Sequence, residues 1–438
     1  MIVSGADTGA TVRLHAIGKQ DGYLVRDDPD MSFFKYSPKQ HANFTKFHRS
    51  TNVRIPSGET SWPFGQTVKV TMHPKDMGDL LSNMYIYMKF PAISGGGLLA
   101  DQLGRHLIKT VTMRVDELVV EIFHGDWGII YDELYLDASE KRTKRYTMNR
   151  NLAEDTALLP ANATLLNQFE SELMIPIPLF FSRKYEGDEY ASNNPNRPYF
   201  PTCAAHKQKI EFDIEFHPQS FFTDTTDTLK LDSFDIITEE MTVSPEERTF
   251  LMNTQQIFIT DIVKKHPTTE TTVGSDIVKL ELVPDIPVKT INWFLRDENF
   301  EKVPGGSDAF KNRFNFSSNV GYSVINSFFE PVMESAKIFV KGQDLPNIPL
   351  AEHAFFKYAV PLNSRLSRPL RNIYTYTFSM NPINVEPSGS LDFGQLQSNK
   401  TVLDVKLKTG LSRTYTLHIY YVGYQTFRFS GGFMSLAY

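Results

Sequence analysis

Few residues in this chain stand at spacings that do chemistry. Cys203-Ala204-Ala205-His206 has the spacing of half a zinc site, but a structural zinc takes four ligands, often in two such pairs, and Cys203 is the only cysteine. Phe123-His124-Gly125-Asp126-Trp127 sets an imidazole and a carboxylate two residues apart, as in some general-base pairs. On a strand the two would share a face, Gly125 suits a turn equally well, and no nucleophile accompanies them. Ser94-Gly95-Gly96-Gly97 lacks the Gly-Lys-Ser/Thr of a phosphate loop and reads as a flexible connection. Ser388 and Ser390 flank Gly389 without the spacing of a nucleophile elbow. The paired carboxylates Asp132/Glu133 and Glu239/Glu240 are commonplace. No catalytic residue, metal site or cofactor is expected. What remains is four Asn-x-Ser/Thr sequons, Asn43, Asn162, Asn315 and Asn399, as candidate glycosylation sites, of which Asn162, in a long loop, would be the most accessible.

Composition bounds the elements that must position these residues. The 438 residues exceed what one hydrophobic core serves, about 250–300, so two domains of about 200 residues each are expected. Aromatic residues make up 13% of the chain, and large rings suit strand faces and sheet-to-sheet packing. A net charge of −6 gives no electrostatic reason to expect nucleic acid as a direct partner. The densest basic run, Lys141-Arg142-Thr143-Lys144-Arg145, reads as a solvated loop or helix face. One cysteine allows no intrachain disulfide, which favours assembly in a reducing compartment. The N-terminus lacks the basic and apolar regions of a signal peptide, and no apolar run approaches the ~20 residues that cross a bilayer, so a soluble protein is expected.

Period-2 alternation recurs along the chain. Val68, Val70 and Met72 alternate with Thr67, Lys69 and Thr71; Ile210, Phe212, Ile214 and Phe216 alternate with Glu211, Asp213 and Glu215. Residues 278–282, 374–378, 403–408 and 415–419 follow the same pattern. Helical signals are few. Ser244-Pro245-Glu246-Glu247 supplies an N-cap, a proline at the first helical position and a glutamate at the third, opening a helix through Met252. Residues 132–145 are expected to hold another. Helices do not alternate with strands in the βαβ manner, so a doubly wound α/β fold is not expected, and the recurring strands lean towards an all-β class. The polar stretch 218–228 is expected to connect a first domain, 19–217, to a second, 229–438, with an N-terminal arm over 1–18. No sequence repeat relates the halves. Loops at 149–172, 185–201 and 296–318 exceed usual connection lengths and are expected to be functional surface. Trp62, Trp127 and Trp293 lie in apolar or strand-like settings and are expected in the core.

One string tells more than its chemistry does. Asn381-Pro382-Ile383-Asn384-Val385-Glu386-Pro387-Ser388-Gly389-Ser390-Leu391-Asp392-Phe393 is physically a long turn, in which Pro387 fixes φ and Gly389 permits angles closed to other residues. It resembles the Pro-Ser-Gly-Ser/Thr-x-Asn-Phe signature of major capsid proteins of nucleocytoplasmic large DNA viruses, with Asp392 where that family usually carries Asn. Gly18-Lys19-Gln20-Asp21-Gly22-Tyr23-Leu24, Ser32-Phe33-Phe34-Lys35-Tyr36 and His41-Ala42-Asn43-Phe44 resemble landmarks near the family's start, Ala42 standing for the usual Thr. Asp79-Leu80-Leu81-Ser82-Asn83-Met84-Tyr85, Leu107-Ile108-Lys109-Thr110-Val111 and Gly125-Asp126-Trp127 follow in order. Glu334-Ser335-Ala336-Lys337 with Gly342-Gln343-Asp344, and the ending from Ser430-Gly431-Gly432 to Leu436-Ala437-Tyr438, resemble landmarks of its second half.

The resemblance implies two consecutive eight-stranded jelly rolls with short helices in the loops, and a structural protein of the virion rather than an enzyme. It implies a homotrimeric capsomer of pseudo-hexagonal outline, because three chains of two similar barrels present six similar sides. The implied partners are neighbouring capsomers and minor capsid proteins beneath an icosahedral shell, near an inner viral membrane that the chain does not span. Assembly is expected in the host cytoplasm. Competing readings are a minor double-jelly-roll paralogue of the same shell, and a glycan-binding jelly-roll module with exposed Trp or Tyr on a concave sheet. A cupin-like enzyme would need clustered histidines, and the 11 here are scattered.

Overall fold

The computed structural model describes residues 42–93, 99–100, 102–148, 171–184, 198–267, 269–270, 276–302, 313–318, 330–348, 351–393 and 401–437. The N-terminal arm, most of the three long loops, the Ser94–Gly97 run and the sequons Asn162 and Asn399 lie outside them. Phe44–Tyr438 forms one unit.

Eight strands come first: β1 (Thr45–Arg54), β2 (Thr67–Met72), β3 (Leu80–Phe90), β4 (Ile108–Val115), β5 (Leu118–His124), β6 (Ser171–Pro176), β7 (Ile210–Phe216) and β8 (Ser233–Thr242). They make two antiparallel four-stranded sheets, in the orders β1-β8-β3-β6 and β2-β7-β4-β5. Then come β9 (Gln256–Lys265), β10 (Thr269–Glu270), β11 (Ile277–Glu281), β12 (Pro287–Asp297), β13 (Met333–Val340), β14 (Gln343–Leu345), β15 (Tyr374–Thr377), β16 (Leu391–Asp392), β17 (Val402–Leu407), β18 (Tyr415–Ser430) and β19 (Phe433–Leu436). One sheet places β9 and β10 beside β18, then β12 and β15; the other runs β11-β17-β13-β14. Leaving aside the short β10, β16 and β19, the wiring of the first eight strands is repeated strand for strand. The chain is two consecutive jelly rolls, each with two facing sheets.

Alternation explains most of these strands. On β7 the apolar Ile210, Phe212, Ile214 and Phe216 are buried, while the carboxylates face outward and meet cations: Lys69 and Lys209 on Glu211 (3.2 and 3.0 Å), Arg114 on Asp213 (2.9 Å), Lys109 on Glu215 (2.7 Å). Rings fill the first barrel, with Trp62 stacked on Phe234 at 5.4 Å and Phe64 within 5.0 Å of Phe222. Each such ring contributes about 1.5–3 kcal/mol by leaving water. Strands β12 and β18 behave differently. Almost every residue of β12, and Tyr415–Gly423 of β18, is buried, because one face lines the second core and the other faces the first half.

Two expectations need correction. The stretch 218–228 does not separate the halves: it leads into β8, whose whole length pairs with β1 and which also pairs with β3. The helix expected over 132–145 is two helices. In chain order the helices used below are α1 (Leu103–Leu107), α2 (Gly125–Leu134), α3 (Ala138–Met148) and α4 (Pro245–Asn253). The break between α2 and α3 is set by Asp137, whose carboxylate accepts from Glu140 N (2.8 Å) while Glu140 accepts from Asp137 N (3.0 Å), a reciprocal capping box. Helix α4 begins where expected, with Ser244 Oγ accepting from Glu247 N at 3.3 Å.

Candidate functional site

The sequence candidates for chemistry disperse. Cys203 is buried in a short turn, and His206 Nδ1 lies 3.0 Å from its carbonyl oxygen. Among the described residues no group of three or more His, Cys, Asp or Glu could hold a metal ion. No hydrogen bond joins His124 to Asp126: the His124 ring packs on Tyr420 at 6.0 Å, while Asp126 turns towards Arg296. Glu239 binds Ser82 (2.6 Å) and Lys46 (3.0 Å), and Glu240 binds Gly78 N (2.6 Å), so both tie the strands around β8 together. All three tryptophans are core residues. Sequon Asn43 is exposed, and Asn315 lies half-buried between Phe314 and Phe316.

What the fold does bring together is a charged seam between the barrels, organised by α2. Gly125 opens this helix because nothing larger fits: an added Cβ would lie 2.3 Å from Ile108 O. Two carboxylates seven residues apart, two turns of helix, then reach across. Asp126 takes Arg296 of β12 (Oδ1–Nη2 2.7 Å, Oδ2–Nη1 3.3 Å), and Arg296 also meets Glu301 (2.8 Å) and donates Nε to Arg313 O (2.8 Å). His418 of β18 completes the group through Nε2, 3.1 Å from Glu301. Glu133 takes Arg371 and Leu370 N (2.7 Å), and Ser367 N donates to Leu134 O (2.7 Å). Between them Asp132 serves its own half, with Arg105 (2.9 Å) and Lys144 (3.0 Å). The basic run is therefore only partly a solvated face: Lys144 is tied to Asp132, and Lys141 donates to Arg368 O across the seam (3.2 Å).

Electrostatics agree with this geometry. Burial alone would raise Asp126, but the Arg296 and Arg313 guanidiniums outweigh it and hold the carboxyl well below its usual range. Burial depresses His124 to about 4, helped by Lys265, and His106, its ring tilted against Phe314 at 4.2 Å, to about 3, helped by Arg313. These imidazoles are neutral ring packing, not acid–base groups. At the other side of the seam, Glu121 of β5 accepts from Arg183 (2.7 Å), Phe180 N (2.7 Å) and Val263 N of β9 (2.9 Å), so the outer strands of two different sheets meet through one carboxylate.

The turn after β15 is a second built feature. Ser388 Oγ lies 2.6 Å from Ser379 Oγ and accepts from Asn381 N (3.1 Å), and Ser388 N donates to Tyr424 OH (3.1 Å). Gly389 has φ +128, and a Cβ there would lie 2.8 Å from Phe378 O. Leu391–Asp392 then pairs with Pro287–Val288, fastening the turn to β12. Elsewhere on the second half, Tyr358, Leu362 and Leu370 are exposed, Leu362 by 78%, and Tyr358 and Leu362 line a 520 Å³ hollow with Pro361, Leu366 and Arg368.

Asp126, Glu133 and Trp127 lie in or beside a string already singled out, but Arg296, Glu301 and Arg371 carried no sequence signal, since Asp126, His418 and Glu133, which they meet, lie far along the chain, and neither did Arg313.

A family model described as large eukaryotic DNA virus major capsid protein matches residues 246–434, and one described as major capsid protein N-terminus matches 32–258. The major capsid protein of Phaeocystis pouchetii virus is 22% identical, with 98% of this chain and 99% of that one aligned. That of Paramecium bursaria Chlorella virus 1 is 24% identical over the same shares. The quasi-atomic model of the PBCV-1 virus capsid superposes with TM-score 0.70 at 17% identity, covering 93% of this chain and all of that one. The Faustovirus major capsid protein superposes with TM-score 0.66 at 10% identity, covering 96% and 98%.

Proposed function

This chain belongs to the major capsid protein family of large eukaryotic DNA viruses, and from that premise we propose that three copies join into a pseudo-hexagonal capsomer that tiles an icosahedral shell. Membership carries a structural role in the virion and not an enzymatic one. The observation that carries the finer reading is the repeated strand wiring within one chain: three copies of two like barrels present six like sides. A fixed seam supports it, because a hexagonal outline needs the angle between barrels to be the same in every copy.

The exposed Tyr358, Leu362 and Leu370 are the contact we assign to a neighbouring subunit, since apolar side chains this open in a structural protein mark an interface. We place the division between the barrels at residues 243–255, the stretch around α4. Assembly in the host cytoplasm, contact with minor capsid proteins beneath the shell and glycan at Asn43 belong to the same reading. Among the described residues no helix is long and apolar enough to cross a membrane. Sedimentation and negative-stain imaging of the purified protein test the central proposal. Trimers with a six-sided outline are expected; stable folded monomers seen as single globules would sink it.

A further inference from the structure

The second barrel holds a buried amine that neither the seam nor the surface requires. Lys289 has no exposed side-chain surface, and its Nζ lies 2.7 Å from Asp261 Oδ2 and 2.7 Å from Asn384 O, with the Tyr424 ring 5.0 Å away. A β-bulge puts it there: Val288 pairs with Gly423 and Thr290 with Val422, so Lys289 is the extra residue. The backbones close up at that point, where a Cβ on Gly423 would lie 2.3 Å from Pro287 O. Asp261 sits on β9 and Lys289 on β12, the two strands that flank β18.

The geometry points to an intramolecular isopeptide bond between Lys289 Nζ and Asp261 Cγ, a covalent strut joining β9 to β12 across β18. An ammonium and a carboxylate have the composition of an amide plus water, so no oxidant or co-reactant is needed. One ammonium proton passes to the carboxylate, leaving a neutral amine against a neutral acid. The nitrogen lone pair attacks Cγ, the Nζ–Cγ bond forms, and the Cγ–O bond breaks. The departing hydroxyl takes a second proton from nitrogen and leaves as water.

Burial favours the first step from both sides, lowering Lys289 and raising Asp261, and for each it is the largest influence despite the opposite charge beside it. Asp261 Oδ1 has no hydrogen-bond donor among the described residues to hold it ionised. A desolvated lysine is an activated nucleophile, and two groups fixed in contact react as if at very high concentration. With one cysteine the chain has no disulfide to serve as such a strut.

Proteolysis of the folded, full-length protein followed by tandem mass spectrometry decides it. The expected result is one branched peptide carrying both Lys289 and Asp261, lighter by one water than the two linear peptides together. Lys289→Arg should give the two linear peptides at their sequence masses. Recovery of both linear peptides and no branched one from the wild-type protein overturns the proposal. The wild-type masses read the same whether or not Lys289→Arg folds, and whether the protein is a trimer or not.

Discussion

Arg296 has no exposed side-chain surface and two carboxylates, Asp126 and Glu301, within hydrogen-bond reach. A buried pair contributes little net stability over apolar residues of the same shape, but deleting one partner strands the other charge in the protein, typically at about 3–5 kcal/mol. Arg296→Ala is therefore expected to destabilise by about that much in urea titration, and Asp126→Ala to cost a comparable amount. The neighbouring histidines add a pH dependence. His106 and His124 are depressed in the fold to about 3 and about 4 from 6.5, so below pH 6.5 the unfolded chain binds protons that the folded one refuses. Stability must fall with pH from about 6.5 towards those values, by about 1.4 kcal/mol per pH unit for each imidazole, and Asp126 adds to the loss only further into acid. Melting temperatures from pH 7 to pH 4 should decline, and His106→Gln should flatten the slope; a flat wild-type profile would remove the argument. At this scale the sequence was a partial guide. Gly125-Asp126-Trp127 was visible as a string, but reading its aspartate with His124 was a consequence of adjacency, and its true partner is 170 positions along the chain.

Several elements exposed on one side were legible, and β12, covered on both, was not. Strands β2, β7, β11 and β17 each keep one wet face, so alternation marks them. In β18 only 415–419 was read, because Thr416 and His418 alternate there with apolar residues although Tyr415–Gly423 is dry on both faces. The two-helix structure of α2 and α3 was legible in principle, since Asp137-Ala138-Ser139-Glu140 is a capping box. Asp137→Ala should cost about 1 kcal/mol, measurable as a lower urea midpoint. The turn after β15 tests a different kind of constraint. Gly389 combines a left-handed φ with a carbonyl oxygen where a side chain would begin. Gly389→Ala is thus expected to destabilise by more than the ~1 kcal/mol range that separates the two residues in ordinary positions, and to loosen protection of β16 in hydrogen exchange; an unchanged exchange pattern would refute the role given to it.

For the whole molecule, duplication was invisible in the sequence because wiring is set by where strands pair, and many different apolar residues satisfy the same pairing. The boundary was misplaced for a related reason: 218–228 is polar enough to look like a linker, but β8 must return to lie between β1 and β3 before the first barrel is closed. Assembly makes its own prediction here. Leu362→Arg places a charge on the most open leucine of the proposed contact, and should shift sedimentation from trimer to monomer without changing the far-ultraviolet spectrum. A trimer of unchanged stability would remove that face from the interface.

The meeting of β5 and β9 through Glu121 has one more consequence. A strand at the rim of a sheet exposes unpaired amides and carbonyls that invite any passing chain to zip on and grow into fibres. By setting part of one rim against the other and spending a carboxylate on Val263 N–H, the molecule covers a stretch of two such rims at once, so that a protein at high concentration is left fewer ways to polymerise in the wrong direction.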